Sequence, residues 1–373
     1  MADHASTASP PPTPPAQSVR TVAWRVADVL RRVALGVAGI FFFVLGIQLM
    51  KDVVGLVGAI LEAVLGRFTD TPWHALAFGW LSAYAVLSGS PVAAMALSFY
   101  ATGYMSPETT FFMIMGSRLG AAFIVIVIGV VAVARGKPRE KALAMGVLSF
   151  LVTYSIYIPS ILFGWLLIRL RAYEWIVIPT PTALLNAIDG FFRPIVTWVV
   201  DRAPPLLGFL LAAVAIYAGL ALFDKAFGQR EVQELKSPRM HRFLRHPAVS
   251  FALGALVTLA STSVSLSFGL LVPLYLNGYI DRREIVPYMM GANITTFIDT
   301  LIAGFLYGGG IAANIVFIEM ASVTLFSLIA LSVYGPYSRA IDAAYTFIFH
   351  KDWALGLFIA LLFAVPLTML FYF

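Results

Sequence analysis

The chain contains no cysteine, which excludes disulfide scaffolds, thiolate metal sites and cysteine nucleophiles. Charge is nearly as scarce. Only 12% of the 373 residues are Asp, Glu, Lys or Arg, about half the share usual in a soluble domain. The five histidines (His4, His74, His241, His246 and His350) show neither HxxxH nor HExxH spacing, and there is no Walker loop and no dinucleotide-type GxGxxG. No enzyme, catalytic residue or cofactor is expected.

Apolar residues make up 60% of the chain, and the mean hydropathy is +0.88. At about 20 residues per membrane crossing, there is room for roughly seven or eight crossings with their connections. The 25 basic residues outnumber the 19 acidic ones, for a net charge of +6. In a membrane protein that surplus reports orientation before it reports nucleic acid, and no nucleic-acid partner is expected.

Residues 1–26 open with a Pro, Ala and Ser rich stretch, five prolines falling between Pro10 and Pro15. This predicts a disordered tail and not a signal peptide. Nearly charge-free stretches then recur at 33–50, 75–107, 119–134, 142–168, 206–223, 247–280, 300–318, 320–338 and 354–373. Most fit one spanning helix. The two at 75–107 and 247–280 are too long for one upright crossing and carry polar residues midway: Leu87-Ser88-Gly89-Ser90-Pro91 and Ser261-Thr262-Ser263-Val264-Ser265. Non-helical backbone at membrane depth needs protein or a water-filled cavity around it. A re-entrant hairpin with the polar residues at its tip meets that need, and Gly89 followed by Pro91 argues against one long tilted helix in the first case.

The two stretches are also copies. A shift of 175 residues pairs Pro72 with Pro247, Gly79 with Gly254, Ser88 with Ser263, Ser90 with Ser265, Tyr100 with Tyr275, Met115-Gly116 with Met290-Gly291 and Gly129 with Gly304. Charge gives their orientation. Arg20, Arg25, Arg31 and Arg32 place the N-terminus in the cytoplasm, and the basic stretches 135–141 and 225–245 belong there too. The first hairpin then enters from outside and the second from inside, the inverted-repeat plan of secondary transporters. This topology leaves Arg169 and Arg171 outside, with a loop containing Asp189 and Arg193.

Each polar tip is followed by a glycine-led segment expected to break the next helix: Gly116-Ser117-Arg118-Leu119-Gly120 and Gly291-Ala292-Asn293-Ile294-Thr295-Thr296. Here the chain resembles the type II sodium/phosphate cotransporter family, whose repeats carry a Gln-Ser-Ser-Ser tip, a downstream glycine and a Gly-Ala/Ser-Asn-Ile-Gly-Thr segment. The stretch from Gly39 to Met50 is similar to that family's first helix, and the resemblance runs from about residue 33 to residue 335. No regulatory domain follows, so a transport core alone is expected. The chain departs from the family pattern at Leu87 and Thr262 for the tip glutamines, at Gly89 and Val264 for the middle serines, and at Arg118 for the first asparagine.

The resemblance implies phosphate and sodium binding at these tips and segments. Ser88, Gly89, Ser90, Ser117, Arg118, Ser263, Ser265 and Asn293 are the expected substrate contacts, and Ser261, Thr262, Thr295, Thr296 and Asp299 the expected cation contacts. Physically, broken helices expose backbone N–H at one end and C=O at the other, and hydroxyls serve either ion. The same hydroxyls can instead bond back to their own helices. Arg118 lies near mid-membrane, where an arginine costs ~2.5–3.5 kcal/mol unless paired or hydrated. It is either an oxyanion contact or the ion-pair partner of Asp299 or Glu319.

The expected fold is therefore all-α and polytopic, with two inverted repeats, each holding a re-entrant helical hairpin and a broken transmembrane helix. The first repeat covers 27–141 with its hairpin at about 73–107, and 142–205 is a connecting helix and external loop. The second repeat covers 206–311 with its hairpin at about 247–280, and 312–373 are C-terminal helices. The expected function is sodium-coupled phosphate transport by alternating access in the cell's inner (plasma) membrane. The alternatives are another small anion, proton coupling, an uncoupled channel-like pathway or a non-transporting membrane protein. Partners are phosphate, Na+ and the lipid bilayer, with homodimerisation left open.

Overall fold

A computed structural model describes residues 17–58, 63, 66–176, 178–179, 182–227, 245–261, 267–268, 271–272, 274–275, 280–308 and 310–372, with side chains from residue 27 onward. All of their regular structure is helical. Eight helical stretches among the described residues, two of them made of two consecutive helices, are long and apolar enough to cross a membrane, so the chain is a multi-pass membrane protein.

Helix α1 (Gln17–Leu56) runs antiparallel to α8 (Pro205–Phe227). Gly39 faces Phe223, Gly46 faces Ile216, and Gly208 faces Val53. Lipid removes the hydrophobic drive for helices to associate, and small residues that let backbones touch take its place. Two short helices follow α1: α2 (Pro72–Val86) and α3 (Ser90–Ala101), joined by the turn 87–89. Thr71 caps α2 by accepting the His74 N–H at 3.1 Å, with Pro72 behind it. Leu87 ends α2 in the left-handed region (φ 57°, ψ 25°), where a non-glycine residue costs ~1–3 kcal/mol. The Tyr84 hydroxyl, close to this turn, donates at 3.1 Å to the carbonyl of Leu362, midway along the last helix, α14 (Asp352–Tyr372).

The next crossing comprises α4 (Pro107–Ala121) and α5 (Phe123–Ala134), and its counterpart comprises α10 (Arg282–Thr295) and α11 (Phe297–Gly308). Ser106 caps α4 and Asp281 caps α10, positions 175 residues apart. Helix α2 packs on α4 as α9 (Pro247–Ser261) packs on α10. A methyl group on Gly79 would sit 2.1 Å from the Met113 carbonyl oxygen, and one on Gly254 would sit 2.0 Å from that of Tyr288. The long central helix α6 (Arg139–Arg169) packs against α4, α5, α10 and α12 (Gly310–Ser332).

Four expectations change. Residues 17–26, expected within the disordered tail, form the first turns of α1. Gly116 and Gly120 do not break a helix. They lie inside α4, and what they permit is backbone approach: a methyl group would sit 1.9 Å from the Leu76 carbonyl oxygen at Gly116 and 2.4 Å from that of Trp80 at Gly120. The interruptions come later, at Ala122 and Thr296, each a single residue with near-helical angles. The broken crossings are therefore tightened at one point and not unwound.

The expected external loop around Asp189 and Arg193 is a helix, α7 (Thr182–Arg202), whose apolar residues recur at helical spacing between the charges. It begins beyond the end of α6 and is followed by Gly208 against Val53, near the end of α1; Gly58 and Tyr104 meet at that same end. A crossing helix of this length would separate its ends by ~30 Å, so α7 lies across one end of the bundle.

The apolar windows 300–318 and 320–338 both straddle real boundaries, since α12 begins at Gly310 and α13 (Tyr334–His350) begins just past Val333. Arg169 and Arg171, at and just past the end of α6, are both paired. Arg169 donates to Glu108 at 3.0 Å and Arg171 to Glu174 at 3.0 Å, and Glu174 holds the Arg171 pKa above its ordinary value.

Candidate functional site

Helix α4 carries Arg118 on the face opposed to the turn 87–89, because Gly89 can lie directly on the Ser117 carbonyl: a methyl group there would come within 2.7 Å. The Arg118 side chain is 2% exposed. Nη1 donates to Ser90 Oγ and to Thr296 Oγ1, both at 3.2 Å. Nη2 donates to Asp299 Oδ1 at 3.4 Å and to the Thr300 hydroxyl. Thr300 passes a hydrogen bond on to Asp299 Oδ1 at 2.9 Å, and the guanidinium carbon lies 4.9 Å from the centroid of the Phe297 ring.

One cation therefore joins the first tip (Ser90) to the start of α11 (Thr296, Asp299 and Thr300). The desolvation cost of the arginine is met by a carboxylate, three hydroxyls and an aromatic face. The accounting is incomplete in two places, since Arg118 Nε and Asp299 Oδ2 are buried without a hydrogen-bond partner. Of the two sequence readings of Arg118, the ion pair with Asp299 is the arrangement present. Nη1 and Nη2, the end-on pair a bidentate oxyanion would use, are both engaged by protein groups, and only Nε is left without a partner.

Asn293 sits beside this cluster. Its side-chain amide donates to Thr153 Oγ1 at 3.2 Å, and its backbone carbonyl accepts the Tyr157 hydroxyl at 3.0 Å. Arg118, Thr153, Tyr157, Phe268, Asn293 and Thr296 line a cavity of ≈ 10 Å³, room for one water and not for phosphate. The site is closed around its own ion pair.

Five of the expected residues, Ser90, Arg118, Asn293, Thr296 and Asp299, lie in or beside this cluster. Gly89 supports it by packing. Ser88 is half-buried, and its hydroxyl makes no hydrogen bond among the described residues. Two expected ligands are committed to backbone: Ser117 Oγ donates to the Ile114 carbonyl at 2.7 Å, and Thr295 Oγ1 to that of Ala255 at 2.8 Å. Thr262, Ser263 and Ser265 lie outside the described residues, as does the side chain of Ser261.

Thr300, Thr153, Tyr157 and Phe297 belong to the cluster without having been expected. Thr153 and Tyr157 lie four apart on one face of α6, but Ser149, Tyr154, Ser155 and Ser160 share the same charge-free run, so nothing in the sequence sets the two apart.

Residues 42–175 match the family model described as Na+/Pi-cotransporter, a family of transporters and not of enzymes. The match takes in α2 to α6, and with them Ser90, Arg118, Thr153 and Tyr157. No curated protein and no solved structure matches the chain.

Proposed function

Because residues 42–175 match the Na+/Pi-cotransporter family model, we propose that the chain is a sodium-coupled symporter of inorganic phosphate that works by alternating access in the plasma membrane. The observation that carries this reading is the bridge made by Arg118. A single buried cation holds the first tip to the start of α11, so whatever competes for it also loosens the tip from that helix.

Phosphate is the natural competitor, since its oxygens offer Arg118 the same two-pronged contact that Asp299 and the threonines now offer. A displaced Asp299, with the hydroxyls of Thr296 and Thr300 around it, is a hard oxygen site suited to Na+. Each ion then makes room for the other, and by linkage each raises the other's affinity. Energetics require such a cation, because an anion entering a negative interior loses ~2.3 kcal/mol per charge per 100 mV. Ser88, Ser263 and Ser265 complete the phosphate site in this reading, and Ser261 and Thr262 the cation site.

The inverted arrangement is supported by which charges meet. Glu108 pairs with Arg169 (3.0 Å) and Lys51 with Asp189 (3.5 Å) at the end assigned to the outside. Arg245 pairs with Glu284 (3.7 Å) and Arg283 with Asp342 (3.0 Å) at the end assigned to the cytoplasm. Helices α2 and α3, of 15 and 12 residues, are each too short at 1.5 Å per residue for a ~30 Å hydrocarbon core, which favours a re-entrant hairpin.

The test is phosphate uptake by proteoliposomes with and without a sodium gradient. Saturable, concentrative uptake that needs sodium is expected. Uptake that only equilibrates would indicate a channel-like pathway, and no phosphate uptake under either condition would refute the symporter.

A further inference from the structure

Asp299 and Glu319 are the only buried carboxylates among the described residues, and the site as read so far uses only the first. Glu319 lies ten residues into α12, is 0% exposed, and neither of its oxygens has a hydrogen-bond partner. It faces α6, against which α12 is closely fitted: one turn further along, Ser160 Oγ donates to the Ser322 carbonyl at 3.3 Å, and a methyl group on Gly164 would sit 3.1 Å from Ser322 Oγ.

The titratable groups that act on Glu319 from neighbouring helices are Arg118 of α4 and Tyr157 of α6. Both are engaged elsewhere, Tyr157 by the Asn293 carbonyl and Arg118 by Ser90, Thr296, Asp299 and Thr300. Counting formal charges, Arg118 (+1) and Asp299 (−1) already cancel, so an ionised Glu319 would leave one uncompensated negative charge at the centre of the bundle. Such a charge is among the costliest states a membrane interior can hold. No group of three or more His, Cys, Asp or Glu that could cage a metal occurs among the described residues. A proton needs no cage.

We propose that Glu319 is a proton-binding site linked to the anion site. It holds a proton whenever Arg118 is engaged elsewhere, by Asp299 as here or by phosphate. After phosphate has left, with the site open to water that can hydrate Asp299, Glu319 releases the proton by taking Arg118 for itself; the carrier returns in this ionised form, so a proton travels with each phosphate. The inference rests on the symporter reading and adds a second coupling ion to it. The step balances: the carboxylate takes one proton from the side where phosphate binds and gives it up on the side where phosphate is released, with no redox change.

Two measurements on the full chain test this. The first is infrared spectroscopy of the purified wild-type protein and of Glu319→Gln, a neutral isostere of the protonated side chain. A carbonyl band from a protonated carboxyl is expected in the wild type and not in the variant. Its absence from wild-type protein overturns the proposal without need of any variant.

The second is phosphate accumulation in proteoliposomes with equal sodium on both sides and an interior one pH unit more alkaline. With the membrane potential clamped at zero, one proton per phosphate corresponds to about tenfold accumulation at equilibrium. Glu319→Gln should exchange labelled phosphate across the membrane yet lose that tenfold component. The titration of phosphate itself contributes equally to both proteins and cancels in the comparison. Equal accumulation by both proteins would overturn proton coupling at Glu319. If the infrared band is present but neither protein exchanges phosphate, the symporter reading has failed and the coupling falls with it.

Discussion

At Gly116 a methyl group would sit 1.9 Å from the Leu76 carbonyl oxygen, and at Gly291 it would sit at the same distance from that of Phe251. Two residues further on, the first half carries Arg118 and the second carries Asn293. Backbone contacts are thus repeated between the halves while the charged chemistry is not. The reason is physical. Close helix contact in lipid depends on small residues at particular positions and tolerates few substitutes. The ion site needs complementary and not identical partners, a donor fork on one side and acceptors on the other. Arg118 bonds the first half to Thr296, Asp299 and Thr300 of the second, while Asn293 at the matching position bonds to Thr153 and Tyr157 of α6.

The comparison breaks most completely if the halves do not face opposite sides. Since the chain has no cysteine, Lys137→Cys and Gly310→Cys can be labelled without background. These positions lie near the ends of the two repeated crossings. An impermeant thiol reagent added outside is expected to label the second and spare the first. Labelling of both from one side would remove the inverted arrangement, and with it the alternating-access mechanism.

The next largest effect comes from copying the second half's residue into the first, Arg118→Asn. Removing one partner of a buried pair costs ~3–5 kcal/mol because the other is left uncompensated. Asp299→Asn in the same protein should recover most of that loss. Phosphate binding should weaken by ~1.5–3 kcal/mol, the worth of a hydrogen bond to a charged group. Sodium dependence should strengthen, because Asp299 no longer has a fixed cation beside it. Melting temperature in detergent, together with phosphate affinity at several sodium concentrations, gives all three quantities. Lost stability with affinity and sodium dependence both intact would reduce Arg118 to a structural ion pair.

Much of this was legible from residues alone. The 175-residue repeat predicted the paired helices, and the cost of an arginine in lipid singled out Arg118 and offered Asp299 as one of two carboxylates that could pair with it. The glycines misled because a helical glycine marks equally a break or a place where another backbone comes close, and only the neighbouring chain distinguishes the two. Helix α7 was obscured by the charges Asp189, Arg193, Asp201 and Arg202, which interrupt its apolar run while leaving one face apolar. Thr153 and Tyr157 reach the site from a helix with no motif of its own, so their part depends on tertiary packing that no local pattern encodes.

The smallest expected effect separates two serines that look alike in sequence. Ser90 Oγ accepts from Arg118 at 3.2 Å, whereas Ser117 Oγ donates to the Ile114 carbonyl at 2.7 Å, within its own helix. Shifted by 175 residues, the position of Ser117 is occupied by Ala292, and the second half packs at that level with no hydroxyl. Ser117→Ala therefore makes the first half resemble the second at a site where the hydroxyl only bonds back to its own backbone. It should change phosphate affinity by less than twofold and stability by about 0.5 kcal/mol or less. Ser90→Ala removes a contact to a charged group and should weaken phosphate binding by ~0.5–1.5 kcal/mol, a few-fold to about tenfold. Parallel binding isotherms on the two variants measure the gap. If Ser117→Ala is the more damaging, that hydroxyl must leave Ile114 and turn to the substrate during the cycle, and the first half's departure from Ala292 would be functional.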